Sequence, residues 1–187
     1  GIIDFDNKNI NKPNPIHPGL KEVCGYGRVD LFCIQPIKNQ FILIYALYGY
    51  TNGDFCTGSA ARTDDLIALC LADSSLRPKG PRMIVGDLNA SVHSLPHLRE
   101  SIQEGKWLDL GARATLYGAK NNCEATCKAT SEAVATRKDF VIANEEAEQL
   151  VEQFRIDNTS GIPVHSIIEI TFKGKAPYEK YDAVVLP

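Results

Sequence analysis

The most informative segment of this 187-residue chain is Arg82-Met83-Ile84-Val85-Gly86-Asp87-Leu88-Asn89-Ala90. Its apolar run, Met83 to Val85, predicts a buried strand that stops at Gly86. Asp87 and Asn89 follow where the strand gives way to a loop, so a carboxylate and an amide can face one point. Such a pair suits a water beside a phosphate, because the carboxylate can take the proton and the amide can hold an oxygen. Gly-Asp-x-Asn is also an ordinary turn, so other residues must decide between the two interpretations.

Two later segments bring similar side chains to strand ends. Asp139 stands at the edge of an apolar strand that runs to Ile142, and His165 stands at the start of a third strand. If their strands end side by side, Asp139 and His165 can form a hydrogen-bonded pair. The carboxylate then fixes the imidazole tautomer and favours its protonated form. Three strands would deliver these groups to one rim suited to phosphoryl or acyl chemistry. The alternative is that Asp139 caps a strand and His165 is a hydrogen-bonded histidine at the core edge.

The order of these motifs resembles the metal-dependent endonuclease/exonuclease/phosphatase superfamily, which includes DNase I-like nucleases. Residues 86–89 match its Gly-Asp-x-Asn, and residues 137–140 match its Arg-x-Asp-aromatic strand. Its closing Ser-Asp-His is matched only at His165. Residues 44–49 are similar to the family strand that ends in a site tyrosine, and residues 107–111 to a Trp-x-Asp segment.

The resemblance covers roughly residues 26 to 173, and we expect it to be strongest with the endonuclease domains of non-LTR retrotransposons. It implies an α/β fold in which two sheets form a sandwich flanked by helices. It also implies five catalytic residues, Tyr48, Asp87, Asn89, Asp139 and His165. In this hypothesis Asp87 orients or deprotonates the attacking water, and Tyr48 donates a hydrogen bond to the phosphate or the leaving group.

The resemblance further implies a metal and a substrate. We expect Asn52, Arg137 and Trp107 to contact the substrate. We expect that substrate to be DNA, with RNA as the alternative. Mg²⁺ is the expected cofactor, with Mn²⁺ as the alternative, because a divalent cation would neutralise charge that develops on the phosphate.

The sequence departs from the family at its metal ligands. The family holds its cation through an Asn and a Glu on two early strands, the Glu within a Leu-Gln-Glu segment that this sequence lacks. The Asp of Ser-Asp-His is Val164 here. We therefore expect the first third of the family domain to be absent from this sequence, and its metal ligands remain unknown.

Two alternatives to a DNA endonuclease stay open. The lost ligands favour a catalytically inactive remnant that binds nucleic acid or a partner. The net charge of −3 and the pI near 5.8 mildly favour a phosphatase of small phosphoesters, since non-specific nucleic-acid binding relies on many basic contacts. The Lys and Arg side chains of the middle third of the sequence could steer a phosphodiester substrate to the site. A solvated face of mixed charge is the simpler interpretation.

Local patterns predict the elements that carry these motifs. Residues 29–35 and 40–48 predict a hairpin, residues 1–25 a polar N-terminal extension, and residues 26–187 the catalytic domain. Thr63 predicts the N-cap of one helix, and Asn144 that of another over residues 145–153. A helix over 94–104 and strands over 167–172 and 182–186 complete the expected set.

No apolar run approaches the length of a membrane span, since the run from Phe41 to Leu47 has the length of a strand. We expect no membrane partner and an intracellular location, cytoplasmic or nuclear. The sequence predicts no oligomeric state.

Overall fold

The computed structural model describes residues 10–37, 40–128, 130–159, 161 and 163–173. Its strands are β1 Ile10–Asn11, β2 Val29–Ile37, β3 Gln40–Tyr48, β4 Arg82–Asp87, β5 Trp107–Asp109, β6 Asp139–Asn144, β7 Val151–Asp157 and β8 Ile167–Phe172. Its α-helices are α1 Pro18–Cys24, α2 Thr57–Leu76, α3 Pro96–Gln103 and α4 Glu145–Glu148, and two 3-10 helices span Val92–Ser94 and Gly111–Tyr117.

The described strands form two sheets. The larger has the order β1-β2-β3-β4-β6-β5, and the smaller pairs β7 with β8. Only the β3–β4 pair in the larger sheet is parallel, and α2 makes the crossover that a parallel connection requires. The prediction of a mixed α/β fold with two sheets and flanking helices is confirmed.

Side chains that alternate along the central strands give the larger sheet two buried faces. On one face Tyr45, Leu47 and Ile84 pack with apolar residues of α1, α2 and α3. On the other face Ile44 and Met83 pack against the two-stranded sheet and the second 3-10 helix. The sheet is therefore the middle layer, with helices on one side and β7–β8 on the other.

The helix predicted to begin at Thr63 begins at Thr57, so that N-cap prediction is wrong. Thr63 is fully buried inside α2, and its hydroxyl accepts the backbone N–H of Tyr50 at 2.9 Å. The next residue, Asp64, accepts the backbone N–H of His97 at 3.1 Å and thereby caps α3. The polar residues at 63 and 64 thus satisfy groups on neighbouring segments instead of starting their own helix.

Two further element predictions need correction. Asn144 does cap a helix, since its side chain accepts the N–H of Ala147, but α4 ends at Glu148 and Val151 opens β7. The segment predicted as a polar extension contains α1, whose Leu20 is fully buried in the core. The domain boundary at residue 25 stays a prediction, and the strand expected over 182–186 lies outside the described residues.

The remaining element predictions agree with the structure. The hairpin is β2–β3, paired antiparallel. Pro96 occupies the first turn of α3, and β8 spans 167–172. Among the described residues, no helix is both long enough and apolar enough to cross a membrane.

Candidate active site at the edge between the two sheets

Strand register places three of the predicted site residues on one face of the larger sheet. Tyr48 pairs with Asp87 across the parallel β3–β4 ladder, and Asp87 pairs with Asp139 across β4–β6. Side chains directly opposite each other on paired strands point to the same face. Ile44 and Met83, an even number of residues away, mark that face as the one that packs on β7–β8. The three polar side chains therefore lie together where the strands end, beside the second sheet.

Two glycines allow the strands to approach closely here. Gly86 has a φ of 148°, and a Cβ on it would lie 1.8 Å from the carbonyl oxygen of Leu47. A Cβ on Gly49 would lie 2.2 Å from the carbonyl oxygen of Leu88. Only glycine fits at both positions. The Gly of Gly-Asp-x-Asn is thus required by the packing of β4 on β3, just before Asp87.

His165 reaches the rim through a short connecting segment. Cys127 forms single β-bridges to both Thr136 and His165, and the N–H of Lys128 donates to the carbonyl of Val164 at 2.8 Å. The hydroxyl of Thr126, which is fully buried, accepts the N–H of Asp139 at 2.9 Å. This segment, residues 126–128, is therefore bonded on one side to the strand that carries Asp139 and on the other to the chain that carries His165.

The resulting geometry joins an aspartate–histidine pair to a second carboxylate. His165 Nδ1 lies 3.0 Å from Asp139 Oδ2, and His165 Nε2 lies 4.0 Å from Asp87 Oδ2. The side chains of Asp87 and Asp139 are 13% and 20% exposed, so the carboxylates are recessed but reachable. The 4.0 Å separation is too long for a direct hydrogen bond, and a water placed beside the line between the two atoms could contact both.

The electrostatics of the rim act on Asp87. Burial raises the pKa of Asp87 above its ordinary value, and the neighbouring charge of Asp139 raises it further. The backbone N–H of Asn89, at 2.9 Å, and the nearby His165 and Lys138 oppose that rise. A carboxylate with a raised pKa is a stronger base once it is ionised.

Asn89 is held in a conformation that suits its position. Its φ is 52°, a left-handed value that Asn tolerates better than most residues. Its side-chain Nδ2 donates to the carbonyl of Gly49 at 3.3 Å, and an amide nitrogen has a second N–H to offer. Both Asp87 and Asn89 are thus oriented by contacts with their own loop and its neighbour.

Of the three expected substrate contacts, two have structural roles. Arg137 forms a paired contact with Asp109, at 2.8 and 2.5 Å, and stacks on Phe140. Trp107 is 6% exposed and belongs to the core. Because neither side chain is available to a substrate, we leave both out of the site. Asn52 is exposed after β3, with a φ of 65°.

No protein-family model matches this sequence, and no curated protein matches it. Solved structures match its fold. The endonuclease domain of TRAS1, a telomere-specific non-LTR retrotransposon, has a TM-score of 0.62 at 14% identity, over 93% of this chain and 72% of that domain. The 3′ phosphatase NExo from Neisseria, bound to a product DNA hairpin, has a TM-score of 0.59 at 10% identity, over 89% and 71%. The AP endonuclease LMAP from Leishmania major has a TM-score of 0.59 at 13% identity, over 79% and 55%.

The chain has the endonuclease/exonuclease/phosphatase fold. The resemblance stated from its motifs is thus confirmed for the fold, and at such identities the likeness extends to the fold alone. The chain spans 53% of a family protein from Leptotrichia buccalis C-1013-b and 55% of LMAP, which is about half the length of these structures.

The donor set at the rim fits a divalent cation in part. Asp87, Asp139 and His165 each offer a ligand atom, and these atoms lie within 4.8 Å of one another. Mg²⁺ is commonly held by one or two carboxylates together with waters and substrate phosphates, so two carboxylates meet the minimum. Mg²⁺ prefers oxygen ligands to an imidazole nitrogen, so the two carboxylates are better ligands for it than His165.

Some rim residues gave no signal in the sequence. Lys138 pairs with Asp54 in the loop after β3, and that loop is anchored because Asp54 Oδ1 accepts the N–H of Ser91 at 2.8 Å. Lys138 stood beside the quoted Asp139, so proximity could have indicated it. Thr126 and Asp54 belong to none of the motifs described above, and only the folded chain brings them here.

Proposed function

We propose that this chain hydrolyses phosphodiester bonds in nucleic acid with the help of a divalent cation. The observation that carries the proposal is the arrangement of His165, Asp139 and Asp87, in which an imidazole held by one carboxylate faces a second, recessed carboxylate across 4.0 Å. A water that contacted both groups would be placed to attack a phosphate bound at the rim, and the fold shared with nucleases and a 3′ phosphatase agrees with such chemistry.

In this mechanism the rim residues move a proton and hold the phosphate. Asp87 accepts the proton of the attacking water through the carboxylate that faces His165 across 4.0 Å. Asn89 donates its second amide N–H to that water or to a phosphate oxygen. Asp139 holds the His165 imidazole through Nδ1, and in its protonated form the imidazole donates from Nε2 to the phosphate.

Tyr48 completes the set from the neighbouring strand. It lies beside Asp87 in the ladder and is 47% exposed, so its hydroxyl can donate to a phosphate oxygen or the leaving group. A divalent cation, Mg²⁺ or Mn²⁺, would supply charge neutralisation at the phosphate, and Asp87 and Asp139 are the residues that would hold it. The remaining ligands would be waters and the phosphate itself.

Nicking of supercoiled plasmid tests the proposal. Purified chain is incubated with Mg²⁺ or with EDTA, beside Asp87→Ala and a control, Asp65→Ala, which removes an exposed carboxylate from α2. We expect Mg²⁺-dependent nicking by the wild type and the control, and none by Asp87→Ala.

Two results would overturn the assignment. Full nicking by Asp87→Ala would show that the activity comes from other residues or from a contaminant. A folded wild type that neither nicks plasmid nor removes a 3′-phosphate from an oligonucleotide would identify the chain as a non-catalytic scaffold.

A further inference from the structure

A strip of alternating arginine and tyrosine side chains begins at the candidate site. The guanidinium of Arg28 lies over the ring of Tyr48, 5.1 Å from its centroid, and over the ring of Tyr50 at 4.5 Å. Arg62 lies over Tyr50 at 4.3 Å. We call Tyr48, Arg28, Tyr50 and Arg62 the Arg–Tyr strip. Its first member is a predicted catalytic residue, and its last is on α2.

The four side chains are joined by consecutive contacts. Three cation–π contacts link them, each with its cation within about 6 Å of a ring centroid. Arg28 is also fixed by its own hydrogen bond, in which Nη1 donates to the carbonyl of Gly49 at 3.0 Å. The Arg28 guanidinium is therefore held in place before any ligand arrives.

The charges of the strip are not neutralised within the described part of the chain. The ion pairs that arginines form there belong to Arg77, Arg113, Arg137 and Arg155. Among the described residues, Arg28 and Arg62 donate only to backbone carbonyls, those of Tyr48, Gly49 and Gly58. Planar guanidiniums stacked on aromatic rings, with N–H groups left over, are well suited to bind phosphate.

We infer that the Arg–Tyr strip binds successive phosphates of a polynucleotide strand whose scissile phosphate lies at Asp87. This inference rests on the proposed function and extends it, because a small phosphoester would occupy the rim without reaching Arg62. Arg28 and Arg62 lie over the same Tyr50 ring, 4.5 and 4.3 Å from its centroid, so the two cations are near enough to contact neighbouring phosphates of one strand.

Oligonucleotide binding tests the strip without any turnover. Fluorescence anisotropy in EDTA compares the wild type with Arg62→Ala, Arg28→Ala and the double variant, using a labelled dinucleotide and longer single-stranded and duplex DNA. The matched control is Arg155→Ala, which removes an exposed arginine that is paired with Glu169. Arg62→Ala is less apt to disturb the fold, since Arg62 is exposed and its one hydrogen bond within the described ranges is to Gly58 of its own helix.

We expect each strip variant to weaken binding of long DNA roughly tenfold, and the deficit to grow with DNA length. The slope of log affinity against log salt should fall by about one for each arginine removed. Arg62→Lys should recover part of the loss, since it restores the charge without the planar stack. The control should bind like the wild type.

Other outcomes would overturn the inference. Wild-type DNA affinity in folded Arg62→Ala and Arg28→Ala, or an equal loss in the control, would remove the strip from nucleic-acid binding. If the strip variants kept wild-type affinity for DNA but lost binding to an acidic peptide, the strip would be assigned to a protein partner instead. Because the assay needs no hydrolysis, a chain that binds through the strip but never nicks DNA would refute the proposed function and leave the strip in place.

Discussion

Asp73 anchors the segment before α1 to the core, and Asp73→Asn should destabilise the chain by about 3–5 kcal/mol. Its side chain is fully buried and accepts hydrogen bonds from four groups. Backbone N–H groups of Ile16 and His17 donate at 2.5 and 2.8 Å, the Tyr45 hydroxyl at 2.8 Å, and Arg77 Nε at 2.7 Å. One carboxylate thus holds the N-terminal segment, β3 and the end of α2 together.

The magnitude follows from what asparagine cannot do. It carries no charge, so Arg77, whose side chain is 14% exposed, loses its ion-pair partner in a nearly buried position. Its NH₂ group also replaces one of the carboxylate oxygens. Because NH₂ cannot accept a hydrogen bond, the N–H or O–H groups that donated to that oxygen lose their acceptor, which costs about 1–3 kcal/mol for each. Tyr45→Phe removes a single donor and should cost less, about 1–3 kcal/mol. For a chain of this size, the larger loss lowers Tm by roughly 6–20 °C.

Urea unfolding measures this loss directly. The single tryptophan, Trp107, is buried in the core and reports unfolding by fluorescence. Asp65→Asn makes the same substitution at an exposed position of the same helix and should stay within about 0.5 kcal/mol of wild type. If Asp73→Asn also stayed within about 1 kcal/mol, the buried network would not be contributing as its geometry indicates.

The same network predicts a pH dependence. Burial alone would raise the pKa of Asp73, but hydrogen bonds from Arg77, His17, Tyr45 and Ile16 outweigh it and hold the pKa below the ordinary value. The unfolded chain therefore binds this proton more readily than the folded chain does. The stabilisation is complete above about pH 3.9 and is lost as the pH falls through the lowered value. Wild type should lose stability over that range more steeply than Asp73→Asn.

Three further predictions concern the rim. Asp139→Asn should lower kcat/KM for DNA about 100-fold, because His165 loses its charge-assisted hydrogen bond. It should also move the acidic limb of the pH–rate profile to lower pH, because Asp139 helps to raise the pKa of Asp87. An unmoved limb would contradict the assignment of Asp87 as base. Gly86→Ala should destabilise by roughly 3 kcal/mol in urea unfolding, since its Cβ would strike the backbone of β3. Val164→Asn should raise stability by about 1 kcal/mol, because a β-branched residue at a φ of 73° is strained; a lower Tm would argue against that strain.

Strand periodicity explains why much of the site could be predicted. Tyr48, Asp87 and Asp139 each stand at the end of an apolar strand, and alternation along those strands sends them to one face. Apolar runs bounded by polar residues are visible in one sequence, since burial itself selects them. For these three side chains to lie together, it was enough that β3, β4 and β6 become neighbours in the sheet.

Tertiary contacts explain where the predictions failed. Thr63 and Asp64 have the side chains of helix N-caps, yet they satisfy backbone N–H groups of Tyr50 and His97. Arg137 has the charge of a substrate contact, yet Asp109 holds it in place. In each case the polar side chain bonds to a group that is distant in sequence. Local propensity shows that the side chain is suited to hydrogen bonding but does not show which group it bonds.

The position of His165 depends on both kinds of information. Asp87 and Asp139 belong to the larger sheet, whereas His165 precedes β8 of the smaller one, and the two sheets meet through apolar side chains that fix no polar geometry. The imidazole is therefore placed by segment 126–128, through the bridge from Cys127 and the hydroxyl of Thr126. That segment has no apolar period that a sequence pattern could reveal. The strands determine which groups reach the rim, and this connection determines the 3.0 Å contact on which their chemistry would depend.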